Sequence, residues 1–138
     1  MTIKEIQEEI IDEFSMFDDW MQRYEYIIEL GKSLPIIEDV YKTEENTIKG
    51  CQSKVWLHAE KQNDLVVFTA DSDAILTKGI IAILIRVFSN QNAQAILEAD
   101  TSFIDEIGLK EHLSPTRANG LVSMIKQIKM YALAFQAK

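Results

Sequence analysis

The residue of the sequence best suited to covalent chemistry is its one cysteine, Cys51, in the polar segment 49–54 (KGCQSK), hereafter the cysteine loop. A lone cysteine is often a small buried hydrophobe, but no apolar residue flanks this one. Gly50 gives the backbone conformational freedom beside the sulfur. The charges of Lys49 and Lys54 favour the thiolate over the thiol, and the thiolate is the nucleophile. The segment therefore predicts a reactive thiolate.

A single thiolate without a second cysteine suits a sulfur carrier. When a thiolate attacks the terminal sulfur of a donor persulfide, it becomes a persulfide, and a second thiol nearby would close a disulfide and expel sulfide. The isolation of Cys51 protects against that loss. An internal disulfide, a CxxC redox pair and a cysteine-rich zinc or iron–sulfur site all need more cysteines than the chain has. We therefore expect a persulfide carrier with no metal site.

Three other readings of Cys51 stay open. A Cys–His hydrolase needs an imidazole within hydrogen-bond reach of the sulfur. His58 would lie roughly 23 Å away along a straight strand and on its opposite face, which leaves His112, whose position the tertiary fold would set. A one-cysteine redox enzyme would be oxidised by peroxide to the sulfenic acid. An interaction domain with an inert thiol is the third alternative.

The composition limits the partners and the compartment. The formal net charge is −8, and residues 1–45 carry 13 acidic against 4 basic residues, whereas residues 114–138 carry 4 basic and no acidic ones. An acidic chain repels phosphate backbones, so we expect no nucleic-acid partner. The most apolar run, 79–85, is shorter than the ~20 residues of a membrane span, and the acidic opening does not resemble a secretory signal. We expect a cytoplasmic protein without a membrane partner.

Two amphipathic helices are predicted ahead of the cysteine. Thr2 and Glu5 have the spacing of a capping box at the start of the first helix. Asp18 or Asp19 is placed to cap the second helix, which Gly31 closes. Both helices would cover the core that supports the site.

A small antiparallel sheet is predicted around the cysteine. Residues 55–60 alternate between apolar and polar, and residues 65–70 return as a second strand after a turn. A short third strand over 46–49 would complete a meander. Gly50 and Cys51 would then lie at an exposed tip between two strands.

The rest of the sequence predicts helices that pack on this sheet. Residues 74–88 are apolar on nearly all sides, which is typical of a buried helix. Shorter helices are predicted near 92–99 and 102–107, and a long final helix begins at Ser114. We expect an α+β fold, a single domain over residues 1–138, with helices packed on a three-stranded antiparallel sheet.

Further residues are candidates for positioning the sulfur or its partner. Gln52 and Ser53 offer side-chain donors beside it. Arg117 falls in the first turn of the final helix, where a cation opposes the helix dipole at a cost of about 0.3–1 kcal/mol. It therefore either holds the cysteine loop or contacts a partner, or it pairs with a carboxylate. Asp71 and Asp73 are expected to cap the buried helix.

Four blocks of the sequence resemble the SufE family in order and spacing. They are GCQSKVW at 50–56, ADSDA at 70–74 with a Lys-Gly pair following, HLSPTRANGL at 112–121, and the Trp, Arg-Tyr, Glu-Leu-Gly and Leu-Pro positions within 20–35. The agreement extends from about residue 14 to about residue 130. Four blocks in register form a specific signal, whereas one block alone is weak.

The resemblance implies both a fold and a role. The family fold resembles the IscU and NifU scaffolds without their ligand cysteines. By motif position, Cys51 accepts a persulfide sulfur from a PLP-dependent cysteine desulfurase of the SufS type, whose turnover the acceptor stimulates. The sulfur then passes to the SufBCD scaffold for iron–sulfur cluster assembly. A related branch, the CsdE-type acceptors, serves the desulfurase CsdA, and that alternative stays open.

The resemblance further implies a carrier that is not itself an enzyme. It needs no cofactor of its own, because PLP belongs to the partner. Besides Cys51, the loop-positioning and partner-positioning candidates are Lys49, Gly50, Gln52, Ser53, Lys54 and Arg117.

Overall fold

A computed structural model describes residues 1–50 and 53–136 of the chain. This part of the chain is an α+β fold, as the sequence predicts. The helices are α1 (Ile3–Ser15), α2 (Trp20–Gly31), α3 (Ile75–Phe88), α4 (Ala93–Glu98), α5 (Phe103–Glu106), α6 (Leu109–His112) and α7 (Pro115–Gln136). The strands are β1 (Val55–Gln62) and β2 (Leu65–Ser72), and 3-10 turns span Asp39–Tyr41 and Glu44–Asn46.

The sheet has two strands in the described part of the chain, so the prediction of a three-stranded sheet is wrong. β1 and β2 pair antiparallel, with Val55 opposite Ser72 at the end that adjoins the cysteine loop. The segment 46–49, expected as the third strand, contributes only one isolated bridge, between Thr47 and Trp56. A 3-10 turn ends immediately before this bridge and another turn follows it, so the extended stretch is too short to form a ladder.

The helices begin where the sequence predicts caps. In α1, the Thr2 backbone N–H donates to Glu5 Oε1 at 2.9 Å, and the Glu5 N–H donates to Thr2 Oγ1 at 3.2 Å, which completes the capping box. Asp19 Oδ1 accepts the backbone N–H three residues on at 2.8 Å and starts α2. Ser114 Oγ accepts such a bond at 3.3 Å and starts α7.

The central helix α3 is buried along most of its length, as its apolar sequence predicts. It crosses α2 so closely that the two backbones are in contact. A Cβ atom at Gly79 would lie 2.1 Å from the carbonyl oxygen of Ile27, and one at Gly31 would lie 3.0 Å from the Gly79 nitrogen. Only residues without a side chain fit at this crossing. The crossing fixes the position of the first turn of α3, beside the cysteine loop.

The remaining helices close the core. α4 and α5 correspond to the helices predicted near 92–99 and 102–107, whereas α6 was not predicted, because a single turn carries no periodic signal. α7 turns Leu121, Ile128 and Ala132 into the core. Its first turns lie against the cysteine loop.

Candidate functional site

The predicted nucleophile, Cys51, and its neighbour Gln52 lie outside the described residues. The site is therefore defined by the two ends of the cysteine loop and by the elements that hold them. These elements are the end of β2, the first turn of α3 and the start of α7.

The entry to the cysteine loop is packed tightly against α7. Gly50 has a φ of 89°, in the left-handed region that a side chain disfavours. A Cβ atom at this position would lie 2.8 Å from the Ser123 hydroxyl oxygen. A glycine is therefore required at position 50 for two reasons: the backbone has a positive φ, and it lies too close to Ser123 of α7 for a side chain to fit. The sequence predicted the need for glycine here, but not its contact with Ser123.

The exit from the cysteine loop is held by three hydrogen bonds. The Lys54 backbone N–H donates to Asp73 Oδ1 at 3.1 Å. The Lys54 carbonyl accepts from the Ser72 hydroxyl at 2.8 Å and from the Asp73 backbone N–H at 3.2 Å. The expectation that Asp73 caps α3 is wrong, since the N-cap is Ala74 and no side chain caps the helix. The carboxylate ties the loop to the sheet instead.

The two lysines that flank the cysteine differ in their surroundings. Lys49 forms an ion pair with Glu44, and its side chain is 73% exposed. The hydrogen bond from Lys49, with smaller contributions from the charges of Lys49 and Lys54, lowers the pKa of the Glu44 carboxyl. The charge of Lys49 is thus partly compensated. Lys54 is exposed and in no described ion pair, so it is the better placed of the two to stabilise an anion.

Arg117 lies beside the cysteine loop and is half-buried. Together with Ser53, Thr77 and Thr116 it lines a cavity of about 10 Å³, which is about the space that one water molecule occupies. Within residues 1–50 and 53–136, its Nε atom is buried without a hydrogen-bond partner, and no carboxylate pairs with its guanidinium. The surface ion pair that the sequence left open is therefore not formed among these residues.

A cluster of charges fixes the end of the sheet beneath the loop. The Asp71 carboxylate accepts from Lys42 Nζ at 2.9 Å and lies 3.4 Å from Lys78 Nζ. Burial raises the pKa of Asp71, but the hydrogen bonds from Lys42 and the Ser72 N–H outweigh it, so the pKa is lowered. Lys42 also lies 5.3 Å from the ring centre of Trp56. Asp71 thus joins the end of β2 to Lys42 and to Lys78 of α3, and it is not a helix cap.

Both histidines have structural partners. The His58 ring stacks on Tyr41 with a centroid distance of 3.7 Å, and its Nε2 lies 3.1 Å from Glu60 Oε1. The His112 ring stacks on Trp20 at 3.9 Å. Neither lines the cavity at Arg117. These contacts favour structural roles for the histidines over a Cys–His enzyme.

Among residues 1–50 and 53–136, no group of three or more histidine, cysteine, aspartate or glutamate side chains is placed to hold a metal ion. No helix within this part is both long and apolar enough to cross a bilayer.

Sequence reasoning missed two contributors to the site, Thr77 and Ser123. Thr77 is buried on α3 and lines the cavity, and Ser123 lies against Gly50. A threonine within the mostly apolar run at 74–88 is a signal that could have identified the first. The second depends on a contact between distant segments, which no local pattern reveals.

Comparison with known proteins agrees with this architecture. The model of the SufE family, described as an Fe-S metabolism associated domain, matches residues 8–132. An uncharacterised SufE-like protein of Rhizobium meliloti is 45% identical over 130 residues, covering 91% of this chain and 93% of that protein. A second, from Rhizobium etli, is 42% identical over 127 residues, covering 88% and 86%.

Two further comparisons are more distant. The SufE-like protein 1, chloroplastic/mitochondrial, of Arabidopsis thaliana is 37% identical over 134 residues, which cover 95% of this chain but 36% of the plant protein. A hypothetical protein from Thermus thermophilus, solved in solution, superposes with a TM-score of 0.80 at 18% identity, covering 96% and 97% of the two chains. This last likeness shows the fold alone. The family match and the bacterial relatives together show that the chain belongs to the SufE family.

Proposed function

We propose that this protein accepts a persulfide sulfur on Cys51 from a PLP-dependent cysteine desulfurase of the SufS type, stimulates that enzyme, and hands the sulfur to the SufBCD scaffold for iron–sulfur cluster assembly. The observation that carries the proposal is that the one cysteine of a SufE-family chain stands in the block GCQSKVW. The CsdE-type role, with the desulfurase CsdA as donor, is the alternative within the same chemistry. The protein acts in the cytoplasm as a carrier.

The transfer step needs no oxidant or reductant. The Cys51 thiolate attacks the terminal sulfur of the desulfurase persulfide and forms a new S–S bond. The S–S bond of the donor breaks, and the electron pair leaves with the desulfurase cysteine as a thiolate. Cys51 then carries the persulfide. Because the chain has no second cysteine, no thiol of its own can displace the cargo.

The anchoring of the cysteine loop supports such a transfer. Gly50 is packed on Ser123 at one end and Lys54 is bonded to Asp73 and Ser72 at the other. Ends that are already held in place need not be ordered when a partner binds, which lowers the entropic cost of that contact.

Arg117 has the chemistry of a positioning residue in this mechanism. Arg117 lines the cavity beside the loop with Ser53 and Thr77, and its Nε atom is buried without a hydrogen-bond partner among the described residues. A guanidinium near an anionic sulfur stabilises the thiolate and the persulfide anion. Replacing Arg117 by Met removes the charge at similar length, and we expect alkylation of Cys51 to require a higher pH. The pH profile of Cys51 alkylation measures this, and Arg117→Lys is the charge-preserving control.

Desulfurase turnover tests the proposal. We expect alanine production by a purified SufS-type desulfurase, with cysteine as substrate, to rise when the wild-type protein is added and to be unaffected by Cys51→Ser. A CsdA-type desulfurase tested in parallel decides between the two donor classes. Equal stimulation by wild type and Cys51→Ser would overturn the carrier mechanism. Catalytic consumption of peroxide with a thiol reductant, without any desulfurase, would instead establish the redox enzyme.

A further inference from the structure

The first turn of α7 carries Arg117, and this turn makes few buried contacts. Ser114, Pro115 and Thr116 are exposed, and the first buried residue of α7 is Gly120. A helix end with few buried contacts opens locally at a low free energy. The segment that precedes the helix therefore decides how firmly Arg117 is held beside the cysteine loop.

Two hydrogen bonds hold this segment at its two ends. Ser114 Oγ accepts the Arg117 backbone N–H at 3.3 Å, which closes the cap of α7. Just upstream, the carbonyl oxygen of His112 accepts a hydrogen bond from the Tyr24 hydroxyl. The first bond lies within the helix end, whereas the second comes from α2. Tyr24 thus ties the start of α7 to a different part of the fold.

The neighbours of Tyr24 on α2 contact the same region at other points. The Trp20 ring stacks on the His112 ring with a centroid distance of 3.9 Å. The Arg23 guanidinium donates to the carbonyl oxygen of Ile107 at 3.3 Å. Tyr24 differs from both because its bond is to the main chain next to the start of α7. A loss of that one bond therefore acts on α7 most directly.

We infer that Tyr24 is a positioning residue for sulfur transfer, because its hydrogen bond to the His112 carbonyl holds the start of α7 and with it Arg117. The inference rests on the proposed function, in which the charge of Arg117 favours the anionic form of Cys51. Without the bond, the first turn of α7 opens more often, and the guanidinium spends less time beside the loop. The thiolate is then less favoured at neutral pH.

Tyr24→Phe tests the inference, since it removes the hydroxyl and keeps the ring. We expect amide hydrogen exchange in residues 113–118 to quicken at least about threefold. We also expect alkylation of Cys51 by iodoacetamide, a neutral reagent, to slow at least about twofold at pH 7 and to require a higher pH. The matched control is Tyr26→Phe, on the same helix, whose hydroxyl donates to a carboxylate oxygen of Glu13 in α1. It should leave both measurements unchanged.

A second background separates positioning from a general structural effect. If Tyr24 acts through Arg117, then Tyr24→Phe should change the alkylation rate by less than about 1.3-fold when Arg117→Met is already present. Ser114→Ala removes the acceptor of the Arg117 backbone N–H and should behave in the same way as Tyr24→Phe in both backgrounds. Circular dichroism establishes that each variant is folded before its alkylation is compared.

Four results would overturn the inference. The first two are an unchanged alkylation profile in Tyr24→Phe, and an equal slowing with and without Arg117→Met. The third is faster amide exchange with unchanged alkylation, which would leave Tyr24 a structural role alone. The fourth is an Arg117→Met profile equal to that of wild type, which would also remove the proposed role of Arg117. Sulfur transfer to Cys51 is measured separately by desulfurase turnover, so the proposed function can stand where this inference fails.

Discussion

Gly50→Ala tests whether the entry to the cysteine loop is held in a conformation that a side chain opposes. The φ of 89° places this residue in the left-handed region, where a Cβ atom costs about 1–2 kcal/mol. The Cβ atom would also lie 2.8 Å from Ser123 Oγ. Because the hydroxyl ends a short side chain that can rotate away, we assign this contact less than about 1 kcal/mol.

A double-mutant cycle separates the two contributions. Gly50→Ala should lower the free energy of unfolding by about 1–3 kcal/mol in total. Ser123→Ala alone should change it by less than about 0.5 kcal/mol. The double variant should recover the part that arises from the contact and retain the part that arises from φ. Urea unfolding followed by circular dichroism measures all three values.

The matched control is Gly108→Ala. Gly108 has a φ of 74°, and a Cβ atom there would lie 3.0 Å from the ring of Trp20. We expect a similar loss of stability but no change in the KM of the desulfurase for the carrier, whereas Gly50→Ala should raise that KM. A Gly50→Ala protein with wild-type stability, or a double variant no more stable than the single one, would refute the account of this loop.

Two further substitutions test the support of the site. Gly79→Ala should lower the free energy of unfolding, measured in urea, by about 3 kcal/mol or more, because its Cβ atom would lie 2.1 Å from the rigid Ile27 carbonyl oxygen. A decrease of less than about 1 kcal/mol would contradict the close crossing of α2 and α3. The hydrogen bond from Arg86 lowers the pKa of Glu13 below its ordinary value of 4.5. The contribution of this pair to the free energy of unfolding should therefore be fully present above pH 4.5 and be lost as the pH falls through the lowered pKa. Glu13→Gln should flatten that part of the pH–stability curve, and an unchanged curve would count against the pair.

The sequence predicted those parts of the fold that local rules control. The capping box of Thr2 and Glu5, the cap at Asp19 and the buried helix α3 are confirmed. Each depends on residues within one or two helical turns. The hairpin of β1 and β2 is also confirmed. It was predictable because the alternation of apolar and polar residues that indicates a strand is a local signal.

The errors arise where neighbouring turns cut a pattern short or where a segment distant in sequence takes a hydrogen-bonding group. Residues 46–49 have no local feature that forbids a strand, but the adjacent turns shorten it to a single bridge. Asp73 has the spacing of a helix cap, yet its carboxylate accepts the Lys54 N–H from across the sheet end. A polar side chain next to a loop accepts a hydrogen bond from whichever backbone N–H lacks another partner in the tertiary fold.

The candidate site was predictable in part. The family match confirms the resemblance that the four blocks carry, whereas the role of Cys51 remains a prediction because the residue lies outside the described part. For Arg117, sequence alone could not choose between an ion pair and a contact with the loop. The cavity that it shares with Ser53 and Thr77 favours the loop.

Intact-mass spectrometry of the protein after incubation with a purified desulfurase and cysteine tests the central claim most directly. The account predicts a wild-type protein heavier by one sulfur atom located on Cys51, reversed by a thiol reductant with release of sulfide, and no such species for Cys51→Ser. Reversal by reductant distinguishes the added sulfur from two added oxygen atoms of nearly equal mass, because a sulfinic acid resists thiols. An unmodified wild-type protein, or a mass gain that survives the reductant, would contradict it.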